Sequence, residues 1–154
     1  MFIHNEVSVP ELSTKNLNRK RFYQTPDGKL YPSITTVLQK RKMAGLMEWR
    51  KNVGDDVANY IARTAAHRGT KVHHMCEDFL NNNFDEETHK KNFLPYVLFG
   101  QMKPVLMQKV NNILAQECGL YTDKYKVAGR VDCIAEYNGV KSIIDFKTSR
   151  KERN

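Results

Sequence analysis

The sequence has few of the residues that build disulfide or cysteine-based metal frameworks. Its 154 residues include three cysteines, Cys76, Cys118 and Cys133, with no CxxC pair and no His/Cys cluster at zinc spacing. Three thiolates are too few for a four-cysteine iron–sulfur cluster. An odd cysteine count without a secretory signal pattern predicts reduced thiols and an intracellular, cytoplasmic location.

Long apolar runs and internal repeats are also lacking. No stretch approaches the roughly 20 apolar residues of a membrane-spanning helix, so we expect no membrane partner. The length suits one domain with one core. We therefore predict a flexible basic arm over residues 1–20, followed by a single domain over residues 21–154.

Positive charge is in excess. The chain has 25 Lys and Arg against 17 Asp and Glu, which gives a net charge of +8 and a pI of about 9.4. This balance suits a polyanionic partner, most often nucleic acid and less often an anionic membrane surface. A basic protein without such a partner is an alternative that charge alone leaves open.

A β-hairpin is predicted near the C-terminal end of the sequence. Residues 129–137 and 140–147 are rich in β-forming side chains, and Asn138-Gly139 lies between them. Asn-Gly is typical of a two-residue type I′ turn. In that register Tyr137 pairs with Val140, and Asp132 lies opposite Asp145 with Cβ atoms about 5 Å apart.

The two facing acids predict a cation site. Like charges directly opposed in a sheet are destabilising, so a divalent metal with oxygen ligands is the natural candidate to lie between them. Lys147 shares their face because side chains alternate along a strand. The alternative is a surface hairpin whose acids pair with basic neighbours. The opposite face is expected to be the core side, with Val131, Cys133, Ala135, Tyr137, Val140, Ile144 and Phe146.

The first half of the chain is predicted to be mainly helical. Residues 22–31 favour a hairpin that turns at Pro26-Asp27-Gly28. Apolar spacing then indicates four helical segments and a strand. The segments are a short helix after Ser33, residues 46–66, residues 69–81, and residues 88–115 as one bent or two separate helices; the strand is residues 121–127. The helical part is thus residues 33–116 and the sheet part residues 117–149.

Some helical residues have two interpretations. Ser33 is a plausible N-cap, and the backbone N–H groups of residues 34–36 after it could instead bind a phosphate. Trp49 is suited either to helix packing or to base stacking. His73 and Glu77 are spaced i, i+4 and therefore share one helix face.

Four motifs in this order resemble the PD-(D/E)XK nuclease superfamily. They are closest to its RecB-like exonuclease branch, which includes mitochondrial genome maintenance exonucleases and phage relatives. The motifs are residues 31–38 (YPSITTVL), residues 68–73 (RGTKVH) with Glu77, residues 128–132 (AGRVD) and residues 144–149 (IDFKTS). The resemblance implies an α/β (α+β) class with a restriction-endonuclease-like core, in which N-terminal helices pack on a mixed sheet with an antiparallel hairpin.

The resemblance also implies a metal-dependent DNA exonuclease that favours single strands or ends, acting in a cell or a phage-infected host. Asp132, Asp145 and His73 would bind Mg²⁺ or Mn²⁺, and Lys147 would position or deprotonate the attacking water. The Phe146 backbone carbonyl would be a further candidate ligand. Glu77 and Glu117 would serve in the outer shell or at a second metal, or be solvated carboxylates. The expected nucleic-acid contacts are Ser33, Thr35, Thr36, Trp49, Arg68, Thr148 and Ser149.

The sequence departs from the family pattern after residue 149. Family members continue with a helix and a further strand, and here the sequence ends at Asn154. A shortened form of a longer protein, a natural short form, and a chain completed by a protein partner are the three explanations. The alternatives to an enzyme are accordingly a nucleic-acid-binding module without activity and a subunit of a repair or recombination complex.

Overall fold

A computed structural model describes residues 1–149, which fall into two compact units. The first unit comprises Met1–Val7, Tyr60–Gln116 and the chain from Asp132 onward. The second unit comprises Ser8–Asn59 and Glu117–Val131. The predicted boundary at residue 20 lies inside the second unit and does not separate the two units.

Helices and antiparallel strands are both present, as the predicted α+β class requires. Two three-stranded sheets have the orders β1-β2-β3 and β4-β5-β6. The elements are β1 (Ser13–Leu17), β2 (Lys20–Gln24), β3 (Leu30–Pro32), α1 (Ile34–Val53), α2 (Asp55–Leu80), α3 (Glu86–Lys90), α4 (Phe93–Lys109), β4 (Val110–Thr122), β5 (Val127–Tyr137) and β6 (Val140–Ile144). No helix in the described part of the chain is long and apolar enough to cross a membrane.

The predicted early hairpin is confirmed, but part of the predicted arm before it is a β-strand. β2 and β3 pair antiparallel around the Pro-Asp-Gly turn, where Gly28 has a φ of 85°. β1, which lies within the predicted arm, pairs with β2 from Ser13↔Gln24 to Leu17↔Lys20. β1 alternates weakly in hydrophobicity and is exposed throughout, which explains why its pattern gave no strand signal.

The helix breaks differ from those predicted. One long helix, α1, begins after Ser33 and runs to Val53, and α2 continues without interruption through Gly69 to Leu80. The break falls at Gly54, whose φ of 87° and ψ of 149° are not helical. An interior glycine costs a helix only about 1 kcal/mol, so burial of the following turn can outweigh it at Gly69.

Residues 110–115 are a strand, not the end of a helix as predicted. α4 stays continuous through Pro104 and ends at Lys109. Val110 and Ile113 are both buried although they are three residues apart, because Asn112 between them has a left-handed φ of 48° that shifts the alternation. β4 ends at Thr122 and β5 begins at Val127, so the predicted strand over residues 121–127 is wrong for residues 123–126, which form the turn between them.

The core of the first unit lies where α2 and α4 pack on the sheet. Its buried members are Val72, Met75, Cys76, Leu80, Phe99, Leu106, Val110, Ile113, Cys133, Ala135 and Phe146. Burial raises the pKa of the Cys76 thiol to about 12, and the nearby Asp132 carboxylate acts in the same direction. The thiol is therefore neutral at physiological pH and contributes to packing.

Candidate functional site

The β5–β6 hairpin has the predicted turn and register. Asn138 and Gly139 have φ angles of 51° and 76°, which a type I′ turn requires at both central positions. The ladder runs from Tyr137↔Val140 to Cys133↔Ile144. Cys133 and Ala135 are fully buried, so the predicted core face is confirmed there; Val140, beside the turn, is 66% exposed and is not part of it.

Asp132 lies at the point where this ladder ends. The last pair of the ladder is Cys133↔Ile144, so Asp132 and Asp145 lie just beyond the ladder as neighbours. The backbone N–H of Phe146 donates to Asp132 Oδ2 at 2.7 Å. A side-chain carboxylate thus takes the position of a backbone acceptor, and this contact fixes its orientation. No pattern in the sequence predicts this contact.

His73 reaches Asp132 from helix α2. Its Nδ1 lies 3.4 Å from Asp132 Oδ1, and its ring packs edge-on against the Phe146 ring with centroids 5.9 Å apart. The Phe146 ring is buried, so it gives the imidazole a fixed packing surface. α2 buries its neighbour Val72 in the core and turns His73 toward the end of the hairpin. The predicted approach of His73 to the first aspartate is present.

Opposing influences act on the charges of this pair. The hydrogen bond to Asp132 raises the pKa of His73 above its ordinary value, against the effect of burial; the Phe146 carbonyl also raises it. Burial acts to raise the pKa of Asp132, but hydrogen bonds from His73 and from Phe146 N–H leave it lowered. Asp132 is therefore a carboxylate at neutral pH, as a metal ligand must be.

Lys147 lies beside Asp145, as the alternation of the strand predicted. Lys147 Nζ is 2.7 Å from Asp145 Oδ2, and both side chains are slightly more than half exposed. An exposed ion pair of this kind adds only about 0–1 kcal/mol to stability. Its stabilising effect is therefore small.

The two glutamates expected in the outer shell or at a second metal have different surroundings. Glu77 is half-buried on α2, one turn after His73, and its backbone carbonyl accepts from Gln116 Nε2 at 3.4 Å. Glu117, in the second unit, accepts from Arg130 Nε at 2.8 Å. It has a left-handed φ of 49°, a conformation that is uncommon for a residue other than glycine or asparagine. Glu117 therefore forms an ion pair with Arg130.

The predicted nucleic-acid contacts are divided between the units. In the second unit, the Ser33 hydroxyl is buried and bonds to Thr35 Oγ1 at 2.7 Å, so Ser33 precedes α1 without a side-chain cap. Thr36 and Trp49 are half-exposed on α1. In the first unit, Arg68 and Thr148 are half-exposed and Ser149 is exposed.

Gly69 and Thr148 bring two of the sequence motifs together. A Cβ at Gly69 would lie 3.7 Å from Thr148 Oγ1, an ordinary van der Waals distance. The helix that carries His73 and the segment that carries Lys147 therefore lie side by side in the first unit.

Gly129 is required by close packing within the second unit. A Cβ at this position would lie 2.9 Å from Ile34 Cγ2, closer than packed side chains allow. We predict that Gly129→Ala lowers the free energy of unfolding by about 1–3 kcal/mol, measured by urea denaturation. The added Ile34→Ala substitution removes the clashing methyl group and is expected to recover most of the loss.

The control for this prediction is Gly100→Ala in α4, where a Cβ meets nothing within 4 Å. That substitution should leave stability unchanged or raise it, because alanine favours a helix. Equal losses in the Gly129 single and double variants would contradict the packing explanation.

Comparison with known proteins gives two distant relatives. No family model matches the chain. It is 27% identical over 132 residues to mitochondrial genome maintenance exonuclease 1 of Homo sapiens. It is 26% identical over 134 residues to the protein of the same name from Mus musculus. Each alignment covers 79% of this chain and 38% of the relative, so the chain spans well under half the length of these relatives. The similarity supports a link to a nuclease family.

Proposed function

We propose that this chain carries the metal-binding and catalytic centre of a DNA exonuclease that hydrolyses phosphodiester bonds with Mg²⁺ or Mn²⁺ and favours single strands or ends. One observation carries the proposal. His73 Nδ1 on α2 lies 3.4 Å from Asp132 Oδ1, and the Asp145–Lys147 ion pair follows directly at the open end of the same hairpin in the first unit. The distant similarity to two proteins named as exonucleases supports the same reaction class.

The donor set fits a hard divalent cation. Asp132 and Asp145 each offer carboxylate oxygens at the end of the hairpin, and His73 adds one imidazole nitrogen beside Asp132. Carboxylate and water ligands suit Mg²⁺ and Mn²⁺, and Mn²⁺ also accepts an imidazole. An ion bound there would polarise the phosphoryl oxygen and lower the pKa of a bound water.

The side chains of the chain supply the remaining roles. Phe146 N–H holds Asp132 in one orientation, and the buried Phe146 ring supports the His73 imidazole. Lys147 carries its ammonium group at the solvent-exposed end, next to Asp145. From there it would orient the attacking water and stabilise negative charge that develops on the phosphate oxygens. If Lys147 is neutral in the complex, it would instead take the proton of that water.

Removal of the metal is the first test. We predict that end-labelled DNA is shortened from its ends in Mg²⁺ or Mn²⁺, that EDTA abolishes this, and that added metal restores it, because the carboxylates need an ion between them. Time-resolved gels of single- and double-stranded substrates measure the rate and the strand preference.

The competing function is a nucleic-acid-binding module without activity. The net charge of +8 favours binding to a polyanion with or without cleavage. A module of this kind would bind DNA in a salt-dependent manner that EDTA does not alter, and it would cleave nothing under any metal. That result would overturn the proposed enzyme.

A further inference from the structure

Helix α4 has an exposed face that carries no charge. Nine of its residues, all in the described part of the chain, are exposed, and none of them is ionisable. Six of the nine are apolar: Phe93, Leu94, Val97, Pro104, Val105 and Met107. A surface helix normally carries its charged side chains on the side that faces water. An exposed face that is largely apolar marks a site of contact with another surface.

The two lysines of α4 lie away from this face. Lys103 and Lys109 are half-buried, and each Nζ lies 5.6 Å above an aromatic ring, that of Phe79 and that of Tyr137 respectively. The charges of the helix therefore lie against rings of the first unit, and the exposed face stays neutral in a chain with a net charge of +8.

The exposed residues of α4 repeat every seven positions. Phe93, Gly100 and Met107 are seven residues apart, and Val97 and Pro104 lie between them. The resulting alternation of three- and four-residue steps is the spacing of a coiled-coil seam, which packs against another helix. The seam is separate from the core side of α4, where Phe99 and Leu106 are buried. The helix thus has two apolar sides, one in the core and one exposed.

The middle of the seam suits the close approach of another helix. A Cβ at Gly100 would meet nothing within 4 Å, so a second backbone can come near it. Pro104 has no N–H and cannot donate to the Gly100 carbonyl four residues earlier, which leaves that oxygen without its regular helical donor. Gln101, exposed at the next position, carries an amide that can donate to a carbonyl of this kind on a neighbouring helix.

We propose that this face binds the same face of a second copy of the chain, with the two α4 helices antiparallel and crossing at Gly100. Eight of the nine exposed residues, all except Val105, have the same spacing when α4 is read from either end. The point of symmetry lies between Gly100 and Gln101. A two-fold dimer contact requires a self-complementary surface of this kind.

The antiparallel arrangement pairs like with like. Leu94 of each copy meets Met107 of the other, and Val97 meets Pro104. Gln101 of one copy lies beside the Gly100 carbonyl of the other, where its amide can supply the bond that the proline removes.

Charge favours a second copy over a nucleic acid at this face. Two copies that each carry +8 repel one another wherever their cations meet, and this face has none. The same lack of cations leaves it nothing to offer to the phosphates of a nucleic acid. The contact is independent of the proposed reaction, because no residue of α4 belongs to the catalytic centre.

The dimer is expected to be weak. One pair of helices forms less than the standard interface of about 800 Å² per partner, so dissociation should fall in the micromolar range. Sedimentation velocity over a concentration series, without DNA, measures it. We expect a monomer below about 1 µM and a growing fraction of dimer above it.

Two charge substitutions locate the contact and give its direction. Leu94→Glu and Met107→Lys each place a charge in the apolar interface, and each is expected to raise the dimer Kd by at least about tenfold. The double variant places the new carboxylate of one copy beside the new ammonium group of the other, so much of the affinity should return. Within one copy the two positions are about 20 Å apart along the helix and cannot pair.

Tyr60→Glu is the matched control for these substitutions. Tyr60 is 62% exposed on α2, and Met107 is 63% exposed on α4. The control variant should form the dimer with unchanged Kd. Far-ultraviolet circular dichroism shows that each variant is folded.

Four results would overturn the proposal. They are a monomer at every concentration up to the millimolar range, a dimer that neither single substitution on α4 weakens, equal weakening by Tyr60→Glu, and a double variant that dimerises no better than the single ones. Sedimentation is repeated with phosphatidylcholine vesicles. A monomeric chain that these vesicles retain and that Leu94→Glu releases would assign the face to a membrane instead of a second copy.

Discussion

Asp132→Asn is expected to lower metal-dependent DNA cleavage by more than about 100-fold while the chain stays folded. The loss of even an indirect partner of a metal ligand costs about 10–100-fold, and Asp132 is proposed to be a direct ligand. Asparagine keeps a carbonyl oxygen that can accept from Phe146 N–H, so the end of the hairpin should be preserved. Initial rates on end-labelled DNA in Mn²⁺ measure the effect.

Two further variants distinguish a metal ligand from residues that do not bind the ion. Lys147→Ala should also lose cleavage but keep Mn²⁺ affinity, measured by titration calorimetry, because the lysine acts on water and phosphate and not on the ion. Asp56→Asn, at an exposed position near the start of α2, should leave both quantities unchanged. If Asp132→Asn cleaves DNA at the unmodified rate, the site has been assigned to the wrong residues.

Phe99→Ala is expected to lower the free energy of unfolding by about 3–5 kcal/mol. Phe99 is 1% exposed, and its ring packs on Phe84 and Phe79 at centroid distances of 4.7 and 5.4 Å. Its removal leaves a cavity in the core of the first unit. Since a whole domain is stable by only about 5–15 kcal/mol, this one substitution takes a large share.

Phe93→Ala is the matched control for the core prediction. Phe93 begins the same helix and is 76% exposed, so its loss should change stability by less than about 0.5 kcal/mol. Urea denaturation followed by circular dichroism measures both variants. Similar midpoints for the two would show that Phe99 is not part of the core described above.

The hairpin could be predicted from sequence because its determinants are local. Asn138-Gly139 selects the turn, the turn sets the register, and alternation then places Cys133 and Ala135 on the buried face. The same count places Asp132 and Asp145 as neighbours next to the last pair of the ladder. Local reasoning could not predict the hydrogen bond from Phe146 N–H to Asp132. That bond depends on the ladder ending at Cys133↔Ile144, one residue pair before Asp132 and Asp145.

The errors have a common physical origin in distant contacts. The spacing of Val110 and Ile113 suits a helix and equally suits a strand with a left-handed residue between them, and only a partner strand decides. Here that partner is the segment at residues 3–7. Gly54 and Gly69 likewise look alike in sequence, yet one ends a helix and the other lies inside one.

The pairing of residues 3–7 with β4 constrains the order in which this protein can fold during synthesis. Ile3 N–H donates to Asn111 Oδ1, 108 residues away, and Asn5 N–H donates to Ile113 O at 2.8 Å. At about 5–20 residues per second, the ribosome releases residues 3–7 several seconds before β4 exists. Residues 3–7 must therefore wait for this partner. Because closing so long a loop is slow, this contact belongs among the late steps of folding.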